Sequence, residues 1–170
     1  MTTIIGVQHQ WGVEMAADSQ VTWGDRPVNS FGINKITDRN GYLLAAAGDG
    51  RIADMICYEW KPPKPPTSGD LYPFMVSKVV PSLRKFLTDG GMDIKGAEFS
   101  VLLAARGQLF ALSSDLTVVR DEDGLYGIGT GGDFALGALY AGADVEQAVI
   151  IAMKLDVNTG GVVQIEKQVK

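Results

Sequence analysis

Two apolar runs open the chain, TTIIGVQ and VEMAADS, with the turn-like HQWG between them. Two strands joined by a short turn fold back antiparallel, so the start of the first lies beside the end of the second. Thr2 and Asp18 are therefore expected to be near neighbours although 16 residues apart. YLLAAAG reads as a further buried strand that stops at Gly48, and in DGRIADMICYEW the apolar residues at 52, 53, 56 and 60 follow at the spacing of one helical face. KPPKPPTSGD must end that helix, because proline donates no backbone hydrogen bond and pushes the residue before it out of the helical region. A second helix is predicted from about residue 71 to residue 87, with Asp70 as its cap and Pro81 inside it.

Beyond DGGMD, the segments FSVLLAA, QLFALSS and LTVVRDEDGLYGI are broken at Arg106-Gly107, at Asp115 and at the Asp121 to Gly124 turn, which reads as a meander of short strands. Two amphipathic segments follow, GDFALGALYAG and DVEQAVIIAMKL, and then a last strand, GGVVQIEKQV. Strands and helices come in runs rather than in strict alternation, which favours an α+β layered arrangement over a doubly wound parallel sheet. The 170 residues suit a single domain, and no internal repeat, low-complexity tract or linker interrupts them.

Composition changes this picture mainly by exclusion. With 46% hydrophobic and 21% charged residues the chain is neither disordered nor fibrous. A net charge of -5 argues against nucleic acid or an anionic membrane as partner. Cys57 is the one cysteine, so no intrachain disulfide forms and a reducing compartment fits. No stretch approaches the roughly 18 apolar residues that span a bilayer, and the first residues lack a signal-peptide pattern. A cytoplasmic protein is expected.

Three chemistries compete for the remaining motifs. Gly127, Gly129 and Gly132 in GIGTGG satisfy G-x-G-x-x-G between a strand-like and a helix-like segment, but too little chain follows for the rest of a dinucleotide-binding half. A tight strand-to-helix turn is the simpler reading, with the glycines letting backbone amides approach another group closely. Metal binding has little to build on: His9 is the only histidine, and Asp115, Asp121, Glu122 and Asp123 read as a solvated acidic turn. No metal and no organic cofactor is expected.

The third chemistry needs neither histidine nor cysteine. Removal of Met1 leaves Thr2 with a hydroxyl and a free α-amine on one residue, and an amine of pKa ≈ 8 can take the hydroxyl's proton near neutrality. Such a nucleophile needs a cation to stabilise the neutral amine and the alkoxide, for which Lys35 is the candidate, and a carboxylate to hold that cation, for which Asp18 stands ready. It also needs a backbone N–H for the oxyanion, and Gly48 ends a buried strand where a helix begins. Without catalysis, Asp18 and Lys35 would form a partly exposed ion pair worth about 0 to 1 kcal/mol.

The chain resembles the proteasome β-type and HslV-like peptidases among the N-terminal nucleophile hydrolases. TTIIGV, AADSQVTWG, NKI, AAAGDGRIAD, YGIGTGGDFALGAL and DVNTGG occur in that family's order and near its spacing, over nearly the whole chain. The resemblance implies a four-layer α-β-β-α sandwich of two antiparallel sheets, one peptidase domain over residues 1–170, and loss of Met1. It implies a threonine peptidase that cleaves unfolded polypeptide inside a homo-oligomeric double ring, with an ATP-dependent unfoldase as candidate partner. A catalytically inactive ring subunit with a structural or binding role is the alternative.

Residue by residue, Thr2 matches the catalytic threonine, Asp18 its supporting aspartate, Lys35 the tuning lysine and Gly48 the oxyanion glycine. Thr130 stands where the family commonly has serine, Asp156 matches the aspartate before the last strand, and Thr159 takes the place of that aspartate's serine partner. Thr22 matches the residue whose backbone pairs with an extended substrate. The chain departs from the pattern at KPPKPP, where the family runs a long helix, at Gln20, in the longer turn GDGRIAD, and in its short last two helices.

Overall fold

A computed structural model of the chain describes residues 2–24, 26–29 and 32–170. Met1, whose removal the sequence predicts, lies outside the described residues. The first hairpin forms as its pattern requires, from β1 (Ile4–His9) and β2 (Gly12–Ala17), with Ile4 opposite Ala17. A short hairpin follows, β3 (Gln20–Trp23) with β4 (Arg26–Asn29), and then β5 (Ile36–Arg39) pairs with β6 (Tyr42–Gly48). The sequence reading missed β3, β4 and β5, because four-residue strands carry too few alternations to stand out.

Helix α1 covers residues 50–59. It is α-helical through Gly50–Asp54, where the Asp49 carboxylate caps the Ile52 N–H at 3.1 Å, and is wound more widely through Met55–Glu59. Ile52, Ile56 and Trp60 are buried, the face that the spacing predicts. Residues 61–70 then run without helix, and their carbonyls serve as acceptors: Pro62 from Asn40, Pro63 from Tyr42, and Pro66 and Gly69 from Arg106. Helix α2 covers residues 71–89, capped by Asp70. Just ahead of Pro81 the helix widens, with Val80 N–H bonded to the Met75 carbonyl five residues back, which accommodates a residue that has no N–H to give.

The predicted meander is only partly present. β7 (Phe99–Ala105), β8 (Gln108–Ser113) and β9 (Val118–Val119) extend one antiparallel sheet, in the order β5-β6-β7-β8-β9. β10 (Leu125–Ile128) leaves it for the other sheet, pairing with β1. The cause is tertiary: Tyr126 inserts between the sheets and its hydroxyl donates to the Leu109 carbonyl at 3.1 Å, while Gly124 accepts from Gln8 N–H. Helices α3 (Gly132–Tyr140) and α4 (Val145–Leu155) follow, and β11 (Gln164–Val169) completes the second sheet, order β10-β1-β2-β11.

Alternation along the strands builds three apolar layers. Ile4, Val13, Met15 and Ala17 face Leu43, Ala45, Ala47, Leu102 and Leu109 between the two sheets. Their neighbours point outward: Tyr42, Leu44, Val101, Leu103 and Phe110 pack under α1 and α2, and Ile5 and Ala16 under α3 and α4. Because side chains alternate faces with a period of two, each central strand feeds two layers at once. The product is the four-layer α-β-β-α sandwich, α+β with antiparallel sheets, that the sequence analysis expects.

Candidate active site

Register decides where the site begins. With Ile4 opposite Ala17, it is Thr3 rather than Thr2 that stands across from Asp18, and the Asp18 N–H donates to the Thr3 carbonyl at 3.1 Å. Thr3 N–H returns a bond to Asp18 Oδ1 at 2.8 Å. Thr2 lies one residue further, 8% exposed, where two cavities meet. One, of 340 Å³, lies among Lys35, Thr22, Ala46, Cys57 and Tyr58, while the other, of 650 Å³, lies among Asp49, Glu98, Phe99, Gly129 and Thr130. Gly48 lines both, at the end of β6. Its φ of +110° and the nearness of the Glu98 carbonyl and the Phe99 backbone leave no room for a side chain there.

Lys35 Nζ bonds Asp18 Oδ1 at 2.8 Å and the Gln20 carbonyl at 2.7 Å. The pair is asymmetric, with Asp18 fully covered and the lysine side chain 9% exposed. Asp18 Oδ2 accepts two more bonds, from Gln20 N–H and Gly160 N–H, each at 3.1 Å. Burial lowers the Lys35 pKa from its ordinary value, and the adjacent Asp18 charge recovers only part of that.

Asp156, at the end of α4, is held differently. Its Oδ2 accepts from the hydroxyls of Thr130 and Thr159, both at 2.6 Å, and its Oδ1 from the Asn158 N–H at 3.1 Å and the Asn158 side-chain amide at 3.3 Å. Burial pushes the carboxyl up, but these donors outweigh it and the pKa falls below the usual carboxylate value. The two hydroxyls lie 29 residues apart in sequence and meet because GIGTGG turns back beneath Thr2. At Gly129, φ +85°, a side chain would strike the Thr2 carbonyl, and at Gly131 it would strike the Thr3 and Thr159 hydroxyls. The glycines thus form the tight strand-to-helix turn, in an antiparallel setting unlike a dinucleotide fold.

Thr22 sits in β3 and borders the smaller cavity, and among the described residues β3 pairs on one edge only, with β4. Cys57 lines the same cavity as a buried thiol that burial raises to about 11, a packing residue rather than a nucleophile. The structure therefore brings Thr2, Asp18, Lys35, Gly48, Thr130, Asp156 and Thr159 into one neighbourhood. Four participants escaped the sequence reading: Thr3, the Gln20 backbone, Gly160 and Asn158. The last two stand inside DVNTGG, where an Asx-type turn after an aspartate was the available signal.

No protein-family model matches the chain. The ATP-dependent protease subunit HslV of Brevibacillus brevis is 31% identical to it over 141 residues, which span 81% of this chain and 74% of that one. The chain belongs to the HslV family. Solved structures agree on the fold: HslV from Trypanosoma brucei superposes with a TM-score of 0.72 at 21% identity, covering 99% of this chain and 100% of that one. BPH of Thiobacillus denitrificans, solved in complex with epoxomicin, gives 0.77 at 21% identity, with 99% and 98% covered. At such identity these two establish architecture alone. The HslV relationship rests on the sequence match, and it makes the chain a peptidase subunit of the threonine, N-terminal nucleophile type.

Proposed function

We propose that Thr2, once Met1 is removed, is the nucleophile of this peptidase and that its own α-amine is the general base. The observation that carries the reading is the position of Thr2 at the junction of two cavities, with Gly48 on the walls of both and Lys35, held from behind by the buried Asp18, on the wall of one. The hydroxyl oxygen attacks the carbonyl carbon of a peptide bond while its proton passes to the amine. The backbone N–H of Gly48 meets the oxyanion, the C–N bond breaks as the leaving nitrogen takes the proton, and an ester to Thr2 remains. Water, activated by the same amine, hydrolyses the ester and regenerates the hydroxyl.

Lys35 lowers the energy of the alkoxide, and Asp18 fixes Lys35. Asp156, with Thr130 and Thr159, orders the polar groups on the opposite side of Thr2. An extended substrate adds to the edge of β3 that is unpaired among the described residues, at Thr22, where main-chain hydrogen bonds hold it independently of sequence. The whole chain acts as one domain in a cytoplasmic double ring of identical subunits that receives unfolded polypeptide, with an ATP-dependent unfoldase as partner. In support, Trp23, Tyr140, Leu155 and Val157 stand exposed on the isolated subunit, apolar side chains that neighbouring subunits would cover.

Intact mass, light scattering and turnover of an unfolded protein, measured on one preparation, test the reading. Loss of Met1, a particle many times 18.2 kDa and turnover abolished in Thr2→Ala are expected. Epoxomicin is expected to bind and inhibit the wild type. A processed, assembled protein without turnover would select the inactive ring subunit instead.

A further inference from the structure

We propose that Thr3 is a positioning residue for the nucleophile, its hydroxyl being the first donor of a one-way hydrogen-bond chain that ends on Asp156. The inference rests on the peptidase reading above. Thr3 is completely buried, and a hydroxyl in that position is tolerated only with a partner. Its Oγ1 lies 2.7 Å from Thr159 Oγ1. A threonine hydroxyl has a single proton, and Thr159 donates its own to Asp156 Oδ2 at 2.6 Å. Thr3 must therefore be the donor, and the order Thr3 to Thr159 to Asp156 is fixed.

Accepting from Thr3 polarises the Thr159 O–H and makes it a stronger donor to the carboxylate. The same residue donates its backbone N–H to Asp18 Oδ1. The residue bonded to the nucleophile is thus anchored to both carboxylates of the site, through its backbone to Asp18 and through its side chain to Asp156. The peptide that joins it to Thr2 is held by these two anchors, which orients the hydroxyl and amine of Thr2. Gly131 leaves the space that this contact needs, since any side chain there would fall on Thr3 Oγ1, Thr159 Oγ1 and Asp156 Oδ2.

Thr3→Val keeps the branched shape and removes the donor. Turnover should fall roughly five- to tenfold, the equivalent of one neutral hydrogen bond, with little change in KM. The acid limb of the kcat profile, which reports the Thr2 amine as general base, should move, because the peptide that orients that amine loses its side-chain anchor. Thr3→Ser should restore rate and profile. In a Thr159→Val background, Thr3→Val should shift the acid limb no further, since the chain is already cut. A Thr3→Val profile that superposes on wild type overturns the proposal, and so does full additivity of the two valines. If Thr3→Val does not fold, Thr3→Ala assayed for the same limb decides in the same way. Turnover by Thr2→Ala would remove the peptidase assignment itself, whereas a dead Thr2→Ala with an unmoved Thr3→Val limb would remove only the role of Thr3.

Discussion

Asp18 and Asp156 both anchor Thr3, one directly and one through Thr159, and among the described residues each accepts four hydrogen bonds, but from opposite kinds of donor. Asp18 takes an ammonium and three backbone N–H groups, from Thr3, Gln20 and Gly160. Asp156 takes two hydroxyls and the two N–H groups of Asn158. The first arrangement is a closed charge pair whose donors belong to the backbone of the fold, so it serves as fixed electrostatics for Lys35. The second is made largely of side-chain donors, so it can be tuned by single methyl or hydroxyl changes. Fixed charge on one side of Thr2 and adjustable polarity on the other is what the comparison teaches.

The sharpest way to break it is to remove the cation. Lys35→Ala leaves a buried carboxylate without its counter-charge, which costs roughly 3–5 kcal/mol of stability. It should also lower kcat by two orders of magnitude or more if the alkoxide depends on the ammonium. Asp18→Asn should behave similarly. Melting temperature and kcat measured together check this, and wild-type rates in either variant would return the pair to a purely structural role. Lys35→Arg should not rescue, since a planar guanidinium does not fit a site built for a compact ammonium bonded at 2.7 and 2.8 Å.

Gly129→Ala should come next. Its methyl would meet the Thr2 carbonyl at a positive φ, so the turn must shift and carry Thr130 away from Asp156. A loss of kcat of tenfold or more with assembly intact is expected from activity assays beside light scattering.

Thr159→Val should be milder, slowing turnover several-fold and shifting the pH profile of kcat, while Thr159→Ser remains active. Thr130→Val should follow the same order more weakly. If Thr159→Val matches wild type at every pH while Thr159→Ser is impaired, packing rather than donation is what that position supplies.

The smallest effects concern stability against pH, where the two carboxylate sites separate again. Asp156 has a folded pKa below its unfolded one, so its contribution is present above the unfolded value and is lost as pH falls through the folded value. Lys35 also has a lowered pKa, but it is a cation. Between that lowered value and the ordinary lysine range, the unfolded chain binds a proton that the folded one has released, so stability from this group rises with pH while turnover declines. Denaturant titrations from acid to alkaline pH should show the acid loss reduced in Asp156→Asn and the alkaline gain absent in Lys35→Ala.

Much of the fold was legible because local chemistry and tertiary packing ask for the same thing. The first hairpin, the Asp70 cap and the burial of Ile52, Ile56 and Trp60 follow from spacing and capping alone. The site was legible in its inventory of residues but less so in its contacts. Thr2 was expected beside Asp18, whereas the register puts Thr3 there.

What the sequence determined by itself is what depends on neighbours along the chain: the apolar runs of β1, β2, β6, β7 and β8, the turns between them, helix starts and stops, and a glycine-rich strand-to-helix turn. It also held the set of HslV-like segments in order. Only the tertiary structure decided the burial of the Lys35–Asp18 pair, the departure of β10 from its meander to the edge of β1, and the meeting of Thr3, Thr130 and Thr159 around Asp156. Those outcomes depend on which distant surfaces pack together. A buried hydroxyl or charge is stable only where groups far away in sequence arrive to bond it, and no local pattern records their arrival.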